Sequence, residues 1–168
     1  DDAEFEGLGR AALGDTFTMH GVDAGTLVHD RTQFLPLGQV GSTDKVTVKF
    51  REEVGGVRVV GGFVNTLFSA EGALLSVQST GMPHLTGFNT TPTLTPRGAA
   101  AIGAATFETR TGLPGLVVEA PELVVDQISD AARRTPALAY LVNVQWQVED
   151  ADPIGWRYSI DARTGAVL

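Results

Sequence analysis

The sequence predicts an α+β protein of two small lobes, each an antiparallel sheet with a packed helix. Three observations lead there. Residues 45–51, 138–148 and 156–160 alternate apolar and polar side chains with period two, the pattern of strands with one dry and one wet face. Thr95-Pro96 before an alanine-rich stretch has the chemistry of a helix start, a hydroxyl cap followed by proline in the first turn. Between these regions residues 79–93 are polar, hold Gly81, Pro83, Gly87 and Pro92, and do not suit a regular element. The expected organisation is residues 1–40 as an N-terminal segment without a strong pattern, 41–80 as the first lobe, 81–91 as a linker and 92–168 as the second lobe.

Residues 3–13 read as a short helix weakened by Gly7 and Gly9, each costing up to about 1 kcal/mol against alanine. Residues 16–20 and 33–37 suit strands kept short by Gly21, Gly25 and Pro36. From Lys45, the side chains Val46, Val48 and Phe50 share one face while Lys45, Thr47, Lys49 and Arg51 share the other. A turn at residues 53–56, with its paired glycines, leads to an apolar run at 57–60. Further strands are expected at 63–68 and 73–78, joined by a turn at 69–72, so the first lobe is an antiparallel meander.

In the second lobe the helix runs through Phe107, with Ala100, Gly103 and Ala104 small enough to let it lie close to a sheet. Residues 116–119 and 122–126 suit short strands on either side of Pro121, and 127–135 reads as a charged, exposed connection. Leu138, Tyr140, Val142, Val144, Trp146 and Val148 form the longest alternating run, broken at 150–153. Trp156, Tyr158 and Ile160 repeat it, and residues 161–165 supply a turn before Ala166, Val167 and Leu168.

Composition narrows function. The chain has 168 residues, 43% hydrophobic and 19% charged, enough apolar material for a core. A net charge of -8 argues against non-specific binding to nucleic acid or anionic membrane, both of which attract basic surfaces. The absence of cysteine excludes disulfides, thiolate metal sites and cysteine nucleophiles. No apolar run reaches the length of a membrane helix, and the acidic start differs from a signal peptide, so an exported form is expected to have lost its signal.

The chemistry-bearing residues do not assemble a recognisable catalytic pattern. The H-E-x-x-H signature of zinc hydrolases is absent, and His20, His29 and His84 lie in separate segments without ligand spacing. They read as surface or structural histidines, and no metal or cofactor is expected. No G-x-S-x-G elbow marks a serine nucleophile. Gly55-Gly56 and Gly61-Gly62 adjoin strands and read as turn and bulge glycines, not phosphate loops. The neighbours Glu52/Glu53 and Glu149/Asp150 point to opposite strand faces, so neither pair converges on a substrate, and they read as solvated charge at strand ends. Tyr140, Trp146, Trp156 and Tyr158 suit a stacking platform or a buried face, and their alternation with polar residues favours burial.

The run K-V-T-V-K-F-R-E-E-V-G-G-V-R-V-V-G-G at residues 45–62, with the strands and glycine turn after it, resembles the fungalysin/thermolysin propeptide motif. Arg58 stands where that family usually has proline, and Val54 where an aromatic is common. Residues 92–168 resemble the PepSY module, a PepSY/cystatin-like fold, through P-T-L-T-P at 92–96, E-L-V-V at 122–125, L-A-Y-L-V at 138–142 and W-R-Y-S-I-D-A-R-T-G-A-V at 156–167. The resemblance covers roughly three quarters of the chain.

It implies the prosegment of a secreted, extracellular or periplasmic, zinc metalloprotease of the thermolysin-like or fungalysin-like kind. Such a prosegment is an intramolecular chaperone and active-site inhibitor with no catalysis of its own. The partner is the catalytic domain, which holds the zinc. The sheet of residues 63–68 and 73–78 is expected to offer a docking surface, and Val167 and Leu168 to lead the chain to the cleft. A cleaved prosegment, a shortened one and a free-standing relative stay open. The rival reading is a free-standing PepSY-type module of the cell envelope that inhibits proteases or binds peptides.

Overall fold

The computed structural model describes residues 1–14, 21–130, 133–147 and 152–168, with the backbone alone at Ser129, Asp130, Arg133 and Arg134. The class is α+β. Of the expected pair of separate lobes, each with its own sheet, the structure carries only a coarser division by contacts into two compact units, Asp1–Phe88 and Asn89–Leu168. No helix among the described residues is long and apolar enough to cross a membrane.

In residues 1–88, helix α1 (Asp2–Leu13) starts with a capping box in which the Asp1 side chain accepts from the Glu4 N–H. It buries Gly9 and Leu13. A Cβ on Gly9 would stand 3.0 Å from the Phe50 ring, so the glycine that weakens the helix is what lets it touch the sheet.

The sheet runs in the order β1 (Leu27–Leu35), β2 (Lys45–Val54), β3 (Val57–Ser69), β4 (Leu74–Ser79), with all neighbours antiparallel. Leu13, Val22, Leu27, Val48, Phe50, Val64 and Phe68 form its core.

Two expectations change here. The first strand starts at Leu27, not at 33, because pairing with β2 carries a segment that lacks clean alternation. The runs at 57–60 and 63–68 are one strand: the ladder continues through Gly61, at φ 70°, with a bulge that shifts the register between Arg51↔Phe63 and Glu53↔Arg58. Gly55 and Gly56, at φ 55° and 77°, make the tight hairpin turn. The strand expected at residues 16–20 lies outside the described residues. Residues 80–88 form no helix or strand, yet Met82 and Leu85 are fully buried.

In residues 89–168, helix α2 (Pro96–Thr111) is capped by Thr95, whose hydroxyl accepts from the Gly98 N–H at 3.1 Å, and ends at Gly112. Ala99, Gly103 and Phe107, one helical turn apart, form its buried stripe. A Cβ on Gly103 would come within 2.7 Å of Val142, so this glycine sets the approach of helix to sheet.

The long strand β7 (Arg133–Trp146) is central. One edge pairs with β6 (Glu122–Asp130) and the two-residue β5 (Leu116–Val117), and the other with β8 (Ile154–Asp161). Residues 127–135, expected as a loop, are mostly strand, because the β6–β7 ladder continues to the pair Asp130↔Arg133 despite its polar composition.

Candidate docking surface

Cross-strand register sets the helix-facing side of the strands in residues 89–168. Tyr140 opposes Ile160, Val142 opposes Tyr158, Val144 opposes Trp156 and Trp146 opposes Ile154. These side chains share one face because they share parity along their strands. Helix α2 lies against Val142 and Val144, and Tyr140 and Tyr158 on the same face are buried.

Phe107 meets Trp156 edge-on at 6.4 Å, and the Arg110 guanidinium lies 5.7 Å from the centre of the indole ring. The helix ends at Thr111, and towards this end of the sheet the cover thins: Trp156 is 41% exposed and Ile154 38%. On the opposite face Leu116 is 70% and Val118 40% exposed. A groove of about 460 Å³ beside them is lined by Leu116, Val118 and Trp146. The aromatics were expected to be buried; Tyr140 and Tyr158 are, whereas Trp156 is an exposed apolar surface.

These features suit an extended polypeptide. The short strand β5 presents a backbone edge, and exposed apolar side chains flank it on both faces, as strand addition requires. The polar rim is held in place: Asn143 donates to Glu119 at 2.9 Å and accepts from Arg157 at 2.9 Å.

The structure places Val167 and Leu168 elsewhere on β8. Val167 bridges Ile160, and the Leu168 N–H donates to the Ser159 carbonyl at 2.9 Å, so the chain there runs antiparallel to β8. The turn before it closes on Asp161, whose carboxylate accepts from the N–H groups of Arg163 at 2.8 Å and Thr164 at 2.7 Å. Partial burial pushes the Asp161 carboxyl up, but those two bonds, a third from the Thr164 hydroxyl and the nearby Arg163 charge together hold it below its ordinary value.

In residues 1–88, the sheet face of Thr47 and Lys49 is polar and bounds a groove of about 440 Å³ that includes Arg31, Asn65 and Gln78. Leu74 and Leu75 of β4 are exposed at 46% and 49%.

The remaining candidates are scattered. His29 sits edge-on to Phe50, 3.0 Å from the Thr32 hydroxyl and 3.7 Å from Glu6. His84 is exposed at φ 65°, and His20 lies outside the described residues, as do Glu149 and Asp150. Among the described residues no group of three or more His, Asp or Glu is placed to hold a metal ion. Glu53 is partly exposed and paired with Arg51 at 2.7 Å.

Glu52 is a correction: expected in solvent, it is fully buried. Val46, Val48 and Phe50 carry the signal for this, because Glu52 is next on the same face. Leu116 and Val118 were missed as surface because short apolar runs read the same whether covered or bare.

No protein-family model matches the chain, and no curated protein matches it. An uncharacterized protein from Eubacterium rectale, known from its crystal structure, is similar at 11% identity with a TM-score of 0.38. The similarity covers 75% of this chain and 42% of that one, so this chain spans less than half of the relative's length.

Proposed function

We propose that the chain is the prosegment of a secreted zinc metalloprotease of the thermolysin-like or fungalysin-like kind, with a propeptide-like part followed by a PepSY-like part. It docks on the catalytic domain, assists its folding and blocks the active-site cleft until cut. The reading rests on the order of the motif text along residues 45–62 and 92–167. The bare apolar strand end at Leu116, Val118, Ile154 and Trp156 supports it, since a surface of this kind fits a second polypeptide.

In physical terms, a prosegment that binds the native state favours folding by mass action. If it also binds the folding transition state, it speeds the process. The same contacts inhibit, because they persist over the cleft. The chain supplies surface and no bond-breaking group, and the zinc belongs to the partner.

The test is to refold a thermolysin-like catalytic domain with and without this chain, then titrate the folded enzyme with it. The expected result is a higher yield and inhibition by the free chain. Leu116→Asp, at a site with little packing to lose, is expected to weaken inhibition at least about tenfold, because it sets a charge in a desolvated contact. No effect on yield together with no inhibition overturns the reading. Inhibition without any folding effect would favour the free-standing module.

A further inference from the structure

Glu52 is built into a site that suits a neutral acid. It stands opposite the β3 bulge, and a Cβ on Gly62 would come within 2.6 Å of its Oε2, so the glycine makes room for the carboxyl. Oε2 accepts from the Met82 N–H at 2.7 Å. Oε1 lies 3.4 Å from the Thr26 hydroxyl, but that hydroxyl has one proton and a shorter bond, 2.7 Å, to the Asp23 carbonyl. Thr26 therefore gives Oε1 only a long, shared contact, and the Met82 N–H is the one short bond to the carboxyl among the described residues.

No cation faces the buried carboxyl among the described residues. From the turn before Thr26 comes Asp23, of like charge, which accepts from the N–H groups of Leu85 at 2.8 Å and Thr86 at 2.9 Å. From β2, Arg51 and Glu53 lie on the other face and pair with each other. From α1, Arg10 pairs with Glu6 and reaches the Leu27 carbonyl. His29 of β1 faces Glu6, and His84 is exposed. On β3, Arg58 stands opposite Glu53 in the register, on the face away from Glu52, and nothing from Val59 to Phe63 titrates.

We propose that Glu52 is a proton-operated latch: as the neutral acid it fastens residues 82–86 to the bulged β2–β3 hairpin, and as the carboxylate it releases them. The fastened segment is apolar, with Met82 and Leu85 fully buried, and Gly81 lies so close to Val22 that a Cβ would collide with it. Ionisation leaves a charge in this packed site without a counter-ion, and opening the segment to water relieves it. Burial pushes the Glu52 carboxyl up to about 7, which puts the switch in the neutral range. The latch stands independently of the prosegment reading.

The full chain tests it by carbon NMR of the glutamate carboxyls, with Glu52 assigned by through-bond correlation to its own amide, and by hydrogen exchange at the Met82 amide. The expected titration midpoint for Glu52 is near 7. Met82 protection, corrected for the intrinsic rate, should fall at least about tenfold between pH 5.5 and pH 8.5. In Glu52→Gln, which keeps an acceptor and a donor in place, protection should stay constant. A Glu52 midpoint below 5, or constant Met82 protection in the unmodified chain, overturns the latch. So does the same fall in Glu52→Gln. Should that variant not fold, the unmodified chain alone decides through the first two readings.

Discussion

In residues 1–88 a carboxyl fully buried beside a strand bulge holds the segment at Met82, whereas in residues 89–168 a carboxyl at a strand end holds the turn at Arg163 and Thr164. Both accept backbone N–H bonds, but protonation acts on them in opposite directions. Burial dominates at Glu52 and favours the neutral form; hydrogen bonding outweighs burial at Asp161 and favours the charged form. An N–H bond therefore does not set the sign by itself. Access to water does.

For Glu52, the native state binds the proton more tightly than the unfolded chain, with a carboxyl near 7 against 4.5. Its contribution is therefore full below 4.5 and is lost as pH rises to about 7. For Asp161, contribution is full above 3.8 and is lost as pH falls through its lowered native value.

The greatest loss of stability belongs to a control. Phe107→Ala empties a fully buried site under α2 and should cost about 3–5 kcal/mol in urea unfolding at pH 5.5 and at pH 8 alike. Both tryptophans, Trp146 and Trp156, lie in residues 89–168, so their fluorescence follows that unit. A loss that depends strongly on pH would place a neutral-range titration in the wrong unit.

Next is Glu52→Gln, expected to abolish a stability decrease of about 3 kcal/mol between pH 4.5 and 7, read by hydrogen exchange in residues 1–88. A smaller effect, about 1 kcal/mol, is expected for Asp161→Ala at neutral pH, shrinking as the medium is made acidic, by fluorescence-detected melting. Smallest is Thr66→Val. The buried Thr66 hydroxyl has no hydrogen-bond partner among the described residues, so the variant should gain up to about 1 kcal/mol at every pH in urea unfolding.

Much of the scaffold was legible. The alternation at residues 45–51 and 138–146, the paired glycines at 55 and 56, and the Thr95-Pro96 start are local signals, and each became the element they announce. The continuous strand through Gly61 was not, because two glycines in a row read as a break unless the neighbouring strand is known to carry the ladder past them. At the candidate surface, the identity of the apolar residues was visible but their cover was not. Val144 and Trp156 are opposed in register, yet one is buried and the other stands 41% exposed.

Periodicity, turn chemistry and helix capping could be read along the chain, because each depends on residues within a few positions of one another. Which members of a pattern meet something was set by long-range packing. Gly7 and Gly9 look alike in the chain, but a Cβ on Gly7 meets nothing within 4 Å, while one on Gly9 would press on Phe50. Glu52 and Glu53 are neighbours of the same chemistry, and one lies in the core while the other pairs with Arg51. The reason is that close approach and desolvation are made by atoms far away along the chain, and no local pattern records their distance.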